Sequence, residues 1–141
     1  MSAVGLLVRP SGRLHLREAE EPAAAAAIMA AWVARGEQFY RPASDTLADI
    51  ALEAAAAITR DGDWIEFAHD DGGDPKWNHQ ATAFYVAIAP FVRSGTVRIE
   101  GEDGSTWSYT YADGQISQRG WNGWDGSIEP FGDAVDYPDD V

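Results

Sequence analysis

Polar and apolar positions alternate near the start of the chain. Leu14 and Leu16 interleave with Arg13, His15 and Arg17, the period-two pattern of a strand with one apolar face. Pro10-Ser11-Gly12 interrupts it with turn chemistry, since proline fixes the first central residue and glycine takes the left-handed position after it. The pattern predicts a β-hairpin over residues 4–17. The period then lengthens to a helical one. Ala25, Ile28, Met29 and Trp32 keep i, i+3, i+4, i+7 spacing behind Pro22, which suits a first helical turn, and Gly36 supplies a stop. A helix over 22–35 is expected. A second begins at 44 or 45, with Leu47, Ile50, Ala51, Ala54 and Ile58 on one side. Thr46 and Asp49 stand at capping-box spacing, and Asp61-Gly62 ends the element.

Residues 63–69 alternate again, Ile65 and Phe67 against Trp64, Glu66 and Ala68, which predicts a strand. Asn78 is placed to cap a third helix carrying Ala81, Phe84, Tyr85, Ile88, Ala89 and Val92 at helical spacing through three turns. A bulky stripe at that period is a core face. Beyond it, Val97 and Ile99 alternate with Thr96, Arg98 and Glu100, and Trp107, Tyr109 and Tyr111 alternate with Thr106, Ser108 and Thr110. Residues 102–105 make one turn, and Asp113-Gly114 is a strong two-residue hairpin signal. The prediction is a three-stranded antiparallel meander, aromatic on one face and hydroxyl-rich on the other.

These elements add up to an α+β fold: an N-terminal β-hairpin, three helices and a C-terminal antiparallel β-meander in one domain, 1–119. From Gly120 the periodicity dissolves into a Gly/Pro-rich segment, 120–141, with six acids and no basic residue. It also carries Trp121, Trp124, Phe131 and Tyr137, more aromatic character than disorder alone accounts for, so packing on the domain, on a partner or on both is expected.

Composition narrows the classes. The 141 residues suit one domain of ordinary size, and with 45% hydrophobic residues the chain can bury a core. The absence of cysteine excludes disulfides, thiolate metal sites and cysteine nucleophiles. The first residues show neither the basic region nor the apolar run of a signal peptide, and the alanine run 22–34 is too short to span a bilayer. A soluble cytoplasmic protein is expected. Charge is lopsided: of the net −13, residues 1–60 contribute −1 and residues 61–141 contribute −12. Such a field fits a surface that meets something basic, although solubility alone explains it about as well. Direct nucleic-acid binding is disfavoured, because phosphate neutralisation needs a Lys/Arg patch.

The loop 68–79 looks most like a chemical site, with His69, His79, Asp70, Asp71, Asp74 and Lys76. It lacks the EF-hand pattern, and its two histidines lack zinc-motif spacing, so neither a metal nor a cofactor is expected. A polar strand-to-helix connection with Lys76 as local counter-charge is the better reading. No G-x-S-x-G, phosphate loop or dinucleotide fingerprint is present, so no catalytic residue is assigned. With 23 acids, chance carboxylate pairs carry no information.

The block 63–117, through Ala89-Pro90-Phe91-Val92, Gly101-Glu102-Asp103-Gly104, Trp107 and Tyr109, resembles small acidic proteins of bacterial and phage genomes. That group has no established activity. The resemblance implies a mobile-element or defence-related context and transfers no catalytic residue.

Two readings follow. In the first, the protein is a non-enzymatic inhibitor or immunity-type protein that occludes the basic, nucleic-acid-binding surface of a partner such as a nuclease or defence complex. Its carboxylates stand in for phosphates. The docking residues would be Asp70, Asp71, Asp74, Glu100, Glu102, Asp103 and Asp113, anchored by Trp121, Trp124 and Tyr137. In the second, Trp64, Trp107 and Tyr109 line a ligand or enzyme pocket at the meander.

Overall fold

A computed structural model describes residues 6–34, 46–54, 56–68, 76–77, 79–102 and 104–120. Its N-terminal element is not the predicted hairpin. Strand β1 (Leu6–His15) runs straight through Pro10-Ser11-Gly12 and becomes the centre of the sheet. One edge of β1 pairs with β5 (Ser94–Gly101) from Val8 to His15. The other edge pairs with β3 (Trp64–Ala68) over Gly12 to His15 and with the two-residue β4 (Lys76–Trp77) at Leu6 and Leu7. Pro10 falls in the gap between those two pairings. Its nitrogen is turned to that side, since the odd-numbered Leu7 offers its carbonyl to Glu102 on the β5 side and Leu16 donates to Asp63 on the other. A missing N–H therefore breaks no ladder bond. Gly12 has φ +142°, and a Cβ there would overlap the carbonyl oxygen of Thr96. It serves close approach of β1 and β5 rather than a turn.

The real N-terminal-half hairpin lies later. Helix α2 (Leu47–Ala51) and a short 3-10 turn (Leu52–Ala54) end sooner than the apolar stripe predicted. Ile58, counted as the last helical position, sits in β2 (Ala57–Asp61), which pairs antiparallel with β3. Gly62-Asp63 is the two-residue turn between them, with Gly62 at φ +64°. Five spacings of three or four residues let Ile58 fit a helix, but its β-branched neighbourhood and the available edge of β3 decide for strand. Thr46 does not cap α2 through its side chain. Its hydroxyl donates to Asp49 Oδ2 (3.0 Å), while the Leu47 N–H is taken by Glu21 Oε2 at 2.7 Å.

Helix α1 (Glu21–Ala34) matches its prediction and packs on α3 (His79–Ala87). Pro90 stops the third helix short of Val92, and a 3-10 turn (Ala89–Phe91) leads to β5. Asn78, expected as the cap, lies outside the described residues. The meander is as predicted: β5, β6 (Thr106–Ala112) and β7 (Gln115–Gly120) pair in sequence, with Asp113 (φ +54°) and Gly114 (φ +81°) in the tight turn. The sheet order is β2-β3-β1-β5-β6-β7, antiparallel throughout, with β4 beside β3 on β1.

The core lies between one sheet face and the helices. Leu14, Ile65, Phe67, Val97, Ile99, Trp107, Tyr109 and Tyr111 point inward, against Ile28 and Trp32 of α1, Leu47 and Ile50 of α2, and Phe84 and Tyr85 of α3. Phe84 and Ile88 are fully buried and Val92 is 1% exposed, as the helical period required. Tyr85 stacks on Tyr109 with ring centroids 4.9 Å apart, and the Tyr111 hydroxyl donates to the Tyr85 carbonyl at 2.8 Å. At the rim, Arg60 of β2 forms an ion pair with Glu21 of α1 (2.7 Å) and donates to the carbonyls of Leu16 and Gly62. With Glu21 also holding the first N–H of α2, one carboxylate ties three elements together.

Candidate functional site

The helices cover only one face of the sheet. The other face consists of the alternate side chains of the same strands, and the pairing registers order them in rows across it. One row runs Thr59, Glu66, Arg13, Thr96, Thr110, Ser117; the next runs Ser11, Arg98, Ser108, Arg119, with Arg9 facing Glu100 beyond it. Strand alternation produces this polarity, since the residues between the inward ones are mostly hydroxyls and charges. Thr96 and Thr110 hydroxyls meet at 3.2 Å, and Ser117 Oγ approaches the Thr110 carbonyl at 3.5 Å. These side chains, Ser108 apart, are exposed.

At its β3 end stands an aromatic cluster. The Arg13 guanidinium lies 5.0 Å over the Trp64 ring, and His15 meets that ring edge-on at 5.1 Å. Arg13 also reaches Asp61 at 3.4 Å. Cation–π stacking and a screened, exposed ion pair hold Arg13 in place without engaging all of its donors.

The predicted docking acids are only partly placed. Glu100 projects from the open face, 3.3 Å from Arg98 and directly across the strand from Arg9, so two arginines already offset it. Glu102 is exposed beyond the end of β5, its N–H donating to the Leu7 carbonyl at 2.9 Å. Asp113 is exposed in the β6–β7 turn. That turn is at the opposite end of β6, so Asp113 and Glu102 are separated by a strand length, about 20 Å at 3.3 Å per residue. The structure brings Glu100 and Glu102 together and leaves Asp113 apart. Asp70, Asp71, Asp74, Asp103, Trp121, Trp124 and Tyr137 lie outside the described residues, as does His69. Lys76 and His79 are described only by their backbone.

The three aromatics of the pocket reading do not converge. Trp107 and Tyr109 are buried on the helix side, 1% and 0% exposed, whereas Trp64 lies on the open face. Their placement on opposite faces follows from strand parity: Trp64 is the neighbour of inward Ile65. Burial raises the Tyr85 hydroxyl well above the ordinary tyrosine value, and burial first, then the neighbouring tyrosines, does the same for Tyr111. Both stay protonated and neutral at physiological pH.

Most of the negative charge lies outside the described residues. The described residues hold 11 acids against 8 bases, a net of −3. The remaining residues hold 12 acids against 2 bases, a net of −10. Sequence reading found the hydroxyl-rich face of the meander and missed that β1 extends it with arginines. The signal was present in the alternation of Arg9, Ser11, Arg13 and His15, hidden by treating Pro10-Ser11-Gly12 as a turn.

Among the described residues no group of three or more His, Asp or Glu is placed to hold a metal ion, and no helix is long and apolar enough to cross a membrane. Compared with protein-family models, with curated proteins and with solved structures, the chain matches none.

Proposed function

We propose that the protein is a non-enzymatic acidic binding protein that occludes a basic, nucleic-acid-binding surface of a partner protein, its carboxylates taking the place of phosphates. The observation that carries this reading is the partition of charge along the chain: −1 over residues 1–60 and −12 over residues 61–141. A chain whose negative charge is concentrated in one part of its sequence is suited to electrostatic capture of a basic partner. Glu100, Glu102 and Asp103 lie close in sequence where β5 ends and belong to that docking surface.

The test starts with immobilised full-length chain and capture at low ionic strength, with the captured protein identified by mass spectrometry and then purified. Association of the purified pair is measured against salt and against duplex DNA. Competition by DNA and a steep loss of affinity between 0.1 M and 1 M salt, where the Debye length falls from ~10 Å to ~3 Å, support the reading. Equal binding at high salt, indifference to DNA, or turnover in a substrate screen overturns it.

A further inference from the structure

The open sheet face carries arginines without ion-pair partners, in a chain whose charge is otherwise strongly negative. Among the described residues Arg9 and Arg119 form no ion pair, and Arg98 is joined only to Glu100, both side chains more than half exposed. An exposed pair of that kind is weak and exchanges readily. On the helix side the cations are engaged: Arg17 with Glu20 at 2.9 Å and Arg60 with Glu21. The outward positions of α1, Pro22, Ala23, Ala26, Ala30, Val33 and Ala34, carry no charge at all. Among the described residues, Arg93, exposed just before β5, is also without an ion pair, but Arg9, Arg98 and Arg119 are gathered on one face.

The segment that follows β7 has the complementary character. Residues 121–141 hold Asp125, Glu129, Asp133, Asp136, Asp139 and Asp140 and no basic residue. They continue directly from Gly120, in register with Trp107 on the edge strand of that same sheet. We propose that this acidic segment docks back across the open face and pairs its carboxylates with Arg119, Arg98 and Arg9.

Reach and spacing both allow it. From β7 to β1 is three strand spacings, about 15 Å, which about five extended residues cover at 3.3 Å each. The segment has 21. Arg98 and Arg119 share a row two strands apart, about 10 Å at 4.8 Å per strand. Residues three apart in a polyproline II chain, one full turn at ~3.1 Å per residue, fall on the same side at a similar distance. Asp133, Asp136 and Asp139 are spaced by three. Tethering also supplies an effective concentration on the order of mM for short flexible linkers, so individually weak pairs suffice. The contact goes beyond the partner-binding reading and does not depend on it. If both hold, a basic partner must compete with the chain's own arginines for the same carboxylates.

The absence of cysteine makes a clean test available. A nitroxide is attached to Ser127→Cys in the full-length, 15N-labelled chain, and amide peak intensities are compared before and after reduction of the label. Residues of β7 lie too near the attachment to be informative, so the readout is β5 and β1. Expected is loss of intensity at Arg98, Thr96 and Arg9, none at Ala26 and Ala30 of α1, and recovery in 1 M salt. Arg9→Gln, Arg98→Gln and Arg119→Gln together, all at exposed positions, should restore the intensities while the rest of the spectrum stays folded. No loss on the face, loss centred on α1, or loss that survives the triple change overturns the proposal. So does loss in a mixture of labelled chain with unlabelled spin-carrying chain, which would make a second copy the occupant.

Discussion

The two faces of the sheet are made by the same strands and obey different physics. On the inner face, Leu14, Phe67, Val97, Tyr109 and Tyr111 are sealed under three helices; one residue away along each strand, Arg13, Glu66, Thr96, Arg98 and Thr110 stand in water. The inner face determines which structure forms, and the outer face is free to carry contacts that folding does not require. Substitutions should separate the two sharply.

The largest effect belongs to the inner face. Tyr109→Ala removes the ring stacked on Tyr85 in a fully buried site, and a loss of about 3–5 kcal/mol in urea-unfolding stability is expected. A loss below ~1 kcal/mol would mean that the stack is not part of the core. Alkali should attack the same place. The raised values of Tyr85 and Tyr111 mean that the folded state keeps protons which the unfolded chain gives up near pH 10. Stability is intact below pH 10 and falls above it by about 1.4 kcal/mol per pH unit for each of the two groups. Tyrosinate absorbance followed with circular dichroism checks this: those two phenols should ionise only as the fold is lost.

An intermediate effect is expected at the rim. Glu21→Ala leaves Arg60 without its carboxylate and the first N–H of α2 without its acceptor, costing about 2–3 kcal/mol, somewhat less than a fully buried pair because both side chains keep some exposure. Restoring a carboxylate with Glu21→Asp should recover only part. The smallest effect sharpens the contrast: Thr96→Ala or Ser108→Ala on the open face should change stability by no more than about 0.5 kcal/mol. Reversing Glu100, Glu102 and Asp103 together should cost at most about 1 kcal/mol, from the new like charge facing Arg9, while slowing association with a basic partner.

What could be read in advance follows the same division. The third helix and the meander were legible because Phe84, Ile88, Val97, Trp107 and Tyr109 each repeat at an unambiguous period, and a buried face enforces period. Ile58 fits both a helical and a strand pattern, and only the edge offered by β3, a tertiary fact, chooses between them. Pro10-Ser11-Gly12 read as a turn because local chemistry favours one there. A gap between β3 and β4 and the tight approach of β5 turn the same residues into strand. The Glu21–Arg60 pair joins residues 39 apart, which no local spacing reveals. Of the docking residues, Glu100 and Glu102 are neighbours because they stand two residues apart at the end of β5. Asp113 belongs to the next turn, and alternating hairpins put consecutive turns at opposite ends of a sheet.

The central position of β1 also constrains how the chain is made. Leu14 must find Gly95, and Val8 must find Gly101, partners synthesised some eighty to ninety residues later. A ribosome emitting about 5–20 residues per second leaves this apolar strand exposed for roughly 4–20 seconds before its main partner exists. Among the described residues its earlier strand partners are β3, over four residues, and β4, over two. Sheet formation should therefore be late and slow, as for folds dominated by distant pairings. During that interval β1 is the segment with most need of a chaperone, and Pro10, which no added strand can satisfy from that side, is a built-in guard against mispairing.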